Sequence, residues 1–317
     1  MRVMVTGATG FVGSALVETL SSEGEAFEVV AAVRSGAGNL VRRVEVVRVG
    51  GVDGSTEWQA ALVAVDAVVH LAARAHILDD SCADPLSEFR RINTEGTLNL
   101  ARQAVLAGVK RFIFVSTIGV HGAQSFGEAF TEQSVLAPHS PYAKSKYEAE
   151  CGLLEIAHSS TMEVVIIRPP MIFGVQAPGN FARLLRLVAS GLPLPFARVN
   201  NSRSLLALEN MVCFIKTIIA YPGAVGGVYL ICDGDDLSVG EMVSSLANGM
   251  GRRSNQFPLP KIVMRWLAGM LGRENMYFQL FGSLRIDAGK AREVLGWRPS
   301  KSSRQALEEA GRQFKGG

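Results

Sequence analysis

The chain has 317 residues, enough for one large domain or two closely joined ones around a sizeable core. Nearly half of it is apolar and only 19% is charged, which excludes an intrinsically disordered chain. The net charge of +3 is spread along the sequence without a massed basic run, which argues against nucleic acid and leaves acidic small molecules open as partners.

The first strand is predicted at residues 3–6 and runs directly into TGATGFVG, Thr6 to Gly13, where an amphipathic helix over 11–22 begins. Gly7 permits a tight turn, Gly10 lets a pyrophosphate approach the backbone, and Gly13 lets the helix pack close to the strand. The helix N-terminus then faces phosphates with free N–H groups and a positive dipole. Gly7, Gly10, Phe11, Val12 and Gly13 are therefore cofactor-binding candidates. A second strand over 28–33 ends in VVAAVRSG. An acidic residue at that strand end binds the ribose hydroxyls of NAD, whereas the Arg34 found here suits the 2′-phosphate of NADP.

Further strands are predicted at 44–49, 67–71, 111–116, 164–168 and 228–232, and helices at 88–107, 140–158 and 180–190. Continuous apolar runs such as AVVHLAA and RFIFVS suit strands covered on both faces, as in a parallel sheet. Strand and helix in alternation predict an α/β fold of the Rossmann type, a doubly wound parallel sheet. After Arg168 the pattern loosens into RPPMIFGVQAPGN and GLPLPF. The expected division is residues 1–168 for dinucleotide binding and 169–317 for a smaller substrate lobe, with the strand near 228–232 returning to the main sheet.

The chain begins on a strand without a signal-peptide pattern, and no apolar run reaches the ~20 residues that span a bilayer. The expectation is a cytoplasmic protein with no integral membrane segment. KIVMRWLAGMLG, residues 261–272, reads as an amphipathic helix, for which packing on its own domain is the commoner explanation and contact with a membrane surface the alternative. Cys82, Cys151, Cys213 and Cys232 lack metal-ligand spacing, so reduced thiols and no metal site are expected.

The stretch SPYAKSKYEAE, residues 140–150, carries Tyr142 and Lys146 four apart, hence stacked on one helix face. Ser116 and Thr117 end the fifth predicted strand, at the same mouth of the sheet. A phenol with a pKa of about 10 is a poor base at neutral pH. An adjacent ammonium and a positively charged nicotinamide are expected to lower it, so that it exchanges a proton with a sugar hydroxyl as hydride moves at the same carbon. Thr117 would orient the substrate, and Lys146 would also hold the nicotinamide ribose.

Together, TGATGFVG, HLAA, RRINTEGTLNL, FVST with VHG, YAKSK and RPPMIFG resemble an extended short-chain dehydrogenase/reductase. Within that group the chain is similar to the NAD(P)-dependent epimerase/dehydratase family acting on nucleotide sugars, from Met1 to about Pro299. The resemblance makes Thr117, Tyr142 and Lys146 the catalytic set, with Tyr142 and Lys146 in the YxxxK positions. It places Leu71, Ala72, Ala73 and Pro169 along the cofactor and gives Asn93 the task of steadying the active-site backbone. It assigns Asn180 and Arg203 to the substrate diphosphate, where an arginine fork is apt. Phe196 and Asn200 would approach the nucleotide, and Arg285 is a weaker phosphate candidate. It also implies a homodimer formed through the helices over 88–107 and 140–158.

Three departures carry information. Sugar 4,6-dehydratases place an Asp-Glu pair directly after the catalytic threonine, but here Ile118 and Gly119 follow Thr117, which argues against elimination of water. His121 replaces the tyrosine of the family's VYG and is expected to shape the pocket rather than transfer a proton. Gly51 replaces the usual acidic residue after the third strand, with Asp53 two residues on.

Two C4 chemistries remain. One is a single NADPH-dependent reduction of a UDP-4-keto sugar to a 6-deoxy-hexosamine of the UDP-N-acetylquinovosamine type for surface polysaccharide. The other is a 4-epimerase of the UDP-glucose or UDP-N-acetylglucosamine kind. Arg34 leans towards the reductase. A third reading, a non-catalytic NADP-binding scaffold, is disfavoured by the intact tyrosine and lysine. Arg34→Asp is predicted to swing preference from NADP to NAD, measured as the ratio of the two dissociation constants; an unchanged ratio would make Arg34 a bystander.

Overall fold

In the computed structural model, which describes residues 1–36, 38, 40, 44–75, 84–260, 263, 269, 270 and 281–314, the apolar runs form a seven-stranded parallel sheet. Its strands are β1 (Arg2–Thr6), β2 (Glu28–Val33), β3 (Glu45–Arg48), β4 (Ala67–His70), β5 (Arg111–Val115), β6 (Glu163–Arg168) and β9 (Gly227–Leu230), in the order β3-β2-β1-β4-β5-β6-β9. Between β6 and β9 the chain forms β7 (Met171–Phe173) and β8 (Arg203–Ala207), which pair with β10 (Asp236–Leu237) in a separate three-stranded sheet.

Period-two alternation explains why the main strands read as unbroken apolar runs: both faces are covered. On one face Val3, Val5, Val29, Ile113 and Ile167 pack with Leu16 and Leu20 of α1 (Phe11–Ser22). The same core takes in Phe214, Ile215 and Ile218 of α6 (Leu208–Ala220). On the other face Met4, Val30, Phe112, Phe114 and Ile166 pack with Leu100 and Ala104 of α3 (Gly96–Leu106). Ala149 and Leu153 of α4 (Pro141–Ser159) complete that layer. Arg111 ties α6 to the sheet, pairing with Glu163 at 2.7 Å and donating to the carbonyls of Ile218 (2.6 Å) and Tyr221 (3.0 Å).

The second sheet has its own core, in which Phe173, Phe181, Leu205 and Leu237 meet Met242 and Leu246. It is flanked by α5 (Asn180–Ala189), α7 (Val239–Gly249) and α9 (Ser303–Gln313), with α8 (Gly289–Leu295) lying nearer β9. α7 and α9 cross almost backbone to backbone, because a Cβ on Gly311 would strike the Leu246 carbonyl oxygen. β9 does return to the main sheet, pairing in parallel with β6.

The predicted helix over 88–107 is instead three pieces. Helix α2 (Pro85–Phe89) leads into a π-helical segment, Arg90–Glu95, before α3 begins. The wider turn rotates Asn93 inward, and its side chain is fully buried. Most of the predicted helix over 261–272, and Cys82, lie outside the described residues. Among the described residues no helix is long and apolar enough to cross a membrane.

The sheet order reverses between β1 and β4. Loops leaving the carboxyl ends of those two strands diverge there and open a crevice, the place where folds of this kind take ligands.

Candidate active site

The phosphate turn is built by exclusion of side chains. Gly7 has φ +65°, and a Cβ on it would sit 2.8 Å from the Ala72 nitrogen. A Cβ on Gly13 would run into the Gly7 carbonyl oxygen, so it is the turn itself that α1 packs against. Gly10 caps α1 without a side-chain acceptor, and the first helical turn has no acidic residue. The leading N–H groups are thus presented to an anion, which fits the pyrophosphate of a dinucleotide. Phe11 lies against Gly174, its ring 3.3 Å from where a Cβ would be, joining this turn to the loop after β7. Arg34 is exposed at the carboxyl end of β2.

A buried chain of hydrogen bonds runs from this turn towards α4. Leu71 and Ala72 donate their backbone N–H to Thr6 Oγ1, each at 3.2 Å. Thr6 Oγ1 meets His70 Nδ1 at 2.8 Å, and His70 Nε2 meets Thr97 Oγ1 at 2.9 Å. Thr97 in turn donates to the Asn93 carbonyl at 2.7 Å. These roles are consistent only if Thr6 donates to Nδ1 and Nε2 carries the proton. Burial keeps the ring neutral by pushing its pKa down to about 3, with Lys146 adding to the effect. The Asn93 side chain takes Arg74 N–H at 2.8 Å and donates to Ser145 Oγ at 3.0 Å. Ser145 then donates to the Tyr142 carbonyl at 2.8 Å.

α4 starts at a sharp cap. Ser140 accepts from Ala143 N–H at 3.1 Å, and Pro141 occupies the first helical position. Tyr142 and Lys146 follow one turn apart on the same face. Tyr142 is half-buried, its ring edge-on to Phe89 at 6.0 Å. Lys146 is 2% exposed, its ammonium 3.9 Å from the Phe114 ring centroid. In the chain alone the neighbouring ammonium does not lower the phenol: burial pushes Tyr142 up to about 12. Burial likewise pushes Lys146 down to about 7, with Glu150 opposing, so the cation that was to acidify the phenol is itself only partly charged at neutral pH.

Beneath this pair, Glu150 and Arg168 form a buried ion pair at 2.5 Å. Arg168 Nη1 also donates to His121 Nε2 at 2.9 Å, and His121 stacks on Phe130 at 5.2 Å. His121 is buried and held near 4, chiefly by burial and then by Arg168. It supports the arginine and stays neutral.

Thr117 is half-exposed at the end of β5, and its Oγ1 accepts from Gly119 N–H at 3.1 Å. The Pro169 carbonyl fixes the next residue, accepting from Ile118 N–H at 2.9 Å. Ser116 is turned inward and buried. On the substrate side, Arg203 donates to the Gly282 carbonyl at 2.8 Å and meets no carboxylate among the described residues. Burial lowers its pKa, the condition of a cation suited to an anionic ligand. Arg285 is already paired with Asp236 at 3.0 Å. Asn180 is exposed at the first turn of α5. Phe196 and Asn200 line a cavity of about 630 Å³ with Ser202, Ser238, Glu241 and Gln256. Asp53 is taken up by Ser55 and Arg91, which hold its carboxyl below the ordinary range.

The Thr6–His70–Thr97 chain, Ser145 and the Glu150–Arg168 pair are not evident from the sequence. The available signal was confined to His70 and Arg168, polar side chains in the apolar runs AVVHLAA and VVIIR.

The NAD dependent epimerase/dehydratase family profile matches residues 3–232. A UDP-glucose 4-epimerase of Vibrio cholerae is 39% identical over 316 residues, covering 98% of this chain and 95% of the relative. An N-acetyl-alpha-D-glucosaminyl-diphospho-ditrans,octacis-undecaprenol 4-epimerase of Escherichia coli O157:H7 is 30% identical, over 86% of this chain and 77% of its own. The solved structure of MoeE5 in complex with UDP-glucose and NAD superposes with a TM-score of 0.77 at 25% identity, covering 98% and 97% of the two chains.

Burial of Lys146 has a stability cost with a defined pH window. Its folded value of about 7 lies below the ordinary 10.5, so between those values the unfolded chain binds more protons. Stability therefore rises with pH across that window, and the penalty is full below it. Lys146→Met is predicted to unfold at a higher temperature than wild type below pH 7. The advantage should fade as pH approaches 10.5, while activity is lost throughout.

Proposed function

This chain belongs to the NAD dependent epimerase/dehydratase family, and we propose that within it the protein is a UDP-hexose 4-epimerase. One observation carries the reading. Tyr142 and Lys146 share one face of α4, and the Tyr142 carbonyl is linked by hydrogen bonds through Ser145, Asn93, Thr97 and His70 to Thr6, where the glycine turn begins. The chain that presents it is 39% identical along nearly its whole length to a UDP-glucose 4-epimerase.

The dinucleotide, when bound, supplies hydride acceptance from the sugar C4 and hydride return to the other face. The chain does the rest. Thr117 Oγ1 orients the sugar 4-hydroxyl. Tyr142 Oη takes the hydroxyl proton as the carbonyl forms and gives it back as the carbonyl is reduced. Lys146, poised near neutrality, holds positive charge beside the phenol and relays a proton when the phenol needs one. Arg203 and Asn180 hold the diphosphate, and Phe196 and Asn200 the nucleotide. Gly7, Gly10, Phe11, Val12 and Gly13, with Leu71, Ala72, Ala73 and Pro169, hold the cofactor. The absence of a carboxyl at Ile118 and Gly119 supports interconversion over elimination. Leu106, 87% exposed on α3, and Leu154 on α4 offer apolar surface to a second copy, so a homodimer is part of the proposal.

Arg34 favours a second reading, single reduction of a UDP-4-keto sugar by NADPH, which the sequence analysis placed first. The 39% identity to a UDP-glucose 4-epimerase supports the epimerase reading over it. One experiment separates them. With UDP-glucose and no added cofactor, the purified protein is predicted to make UDP-galactose, detected by NMR. NADPH consumption with a 4-keto sugar nucleotide, without that interconversion, would establish the reductase. Tyr142→Phe should cut turnover by about 10²-fold or more while dinucleotide affinity is kept. Retention of more than about a tenth of the rate would remove Tyr142 from the proton step.

A further inference from the structure

Beside Thr117 the cleft carries a side chain that the proton chemistry leaves unused. Gly119 lies in the short turn after β5, and three atoms surround the point where its Cβ would be. They are His139 Cε1 at 3.3 Å, Thr117 Oγ1 at 3.4 Å and Ala143 Cβ at 3.5 Å. Ala143 directly follows Tyr142. An imidazole edge, the substrate-orienting hydroxyl and the first turn of α4 thus converge on one spot. A glycine at 119 leaves the ring edge uncrowded there, where a Cβ would press against it.

His139 is exposed, yet its ring is held. Nδ1 lies 3.2 Å from the Gly119 carbonyl oxygen. A carbonyl can only accept, so Nδ1 donates, and Nε2 of the neutral ring carries a lone pair. Nε2 meets no donor among the described residues. The backbone is equally fixed, because the next residues are the Ser140 cap and Pro141 at the start of α4. The result is a positioned acceptor next to the hydroxyl that would orient a sugar.

We propose that His139 Nε2 accepts a hydrogen bond from a hydroxyl of the hexose adjacent to the one held by Thr117 and Tyr142. This makes His139 a substrate-contacting residue that separates a sugar nucleotide from the bare nucleotide. The inference rests on the UDP-hexose reading above, and it adds a sugar contact that the proton chemistry does not require.

The test is calorimetric titration of UDP-glucose and of UDP into the full-length, dinucleotide-loaded protein, as wild type, His139→Phe and His139→Gln. His139→Phe should weaken UDP-glucose by about tenfold, the scale of one hydrogen bond, and leave UDP within about twofold. His139→Gln, whose amide oxygen can accept, should recover most of the loss. The proposal is overturned if His139→Phe leaves UDP-glucose affinity unchanged, if it weakens UDP equally, or if glutamine gives no recovery. Wild type that fails to bind UDP-glucose would instead overturn the UDP-hexose reading, and this contact with it. Because the ring is exposed, unchanged melting of both variants should accompany these results.

Discussion

The site depends on a continuous buried hydrogen-bond path between two distant parts of the chain. It starts at the backbone of Leu71 and Ala72 and passes through Thr6, His70 and Thr97 to the Asn93 carbonyl. From the Asn93 side chain it continues through Ser145 to the Tyr142 carbonyl. Each member has one role that satisfies all its neighbours, and this fixes the His70 tautomer. The neutral imidazole is required: a charged one would bring a third donor to Thr6 Oγ1, which already receives two N–H groups. Through this path the strand end that leads into the glycine turn and the helix that carries the phenol are set at one mutual distance. The π-helical segment is the local cost of the arrangement, since an uninterrupted α-helix would rotate Asn93 elsewhere.

α4 then assembles an electrostatic column at successive turns. Tyr142 is followed by Lys146 and Glu150, and Glu150 is closed off by Arg168 and His121. Burial works against both active groups, raising the phenol and lowering the ammonium. The two values stand in the reverse of the order in free amino acids, so near neutrality Lys146 titrates while Tyr142 stays protonated. A phenol in that condition keeps its proton near neutrality and is not available as a base. Its conversion to a base needs added positive charge in the cleft, and oxidised nicotinamide is the group of the right sign. The fully paired Glu150–Arg168 unit below keeps a buried carboxylate near Lys146 without leaving it uncompensated.

Much of this was legible in the sequence because it is local. Glycines at 7, 10 and 13 between a strand and a helix, and Tyr142 four residues before Lys146, are patterns whose geometry follows from spacing alone. The doubly wound sheet followed from apolar runs that lacked alternation. What was illegible is non-local. His70 sits in a run that reads as a buried strand, and nothing in AVVHLAA says that its partners are Thr6 and Thr97. The π turn was hidden because RRINTEGTLNL keeps a helical pattern whichever way Asn93 faces. The direction of the phenol's shift was missed because spacing reports the neighbouring cation but not the burial beside Phe89. Helices α7 and α9 escaped notice because their close crossing rests on Gly249 and Gly311, which read as helix breakers. Helix α6 follows the loose proline-rich stretch, and yet it fills the main sheet's core.

The most direct measurement is an ultraviolet titration of Tyr142, taken as the phenolate signal of wild type minus that of Tyr142→Phe, with and without oxidised dinucleotide. A midpoint near 12 is predicted for the protein stripped of dinucleotide, and a lower midpoint with it bound. The same midpoint in both states would contradict the claim that charge in the cleft turns this half-buried phenol into the proton acceptor.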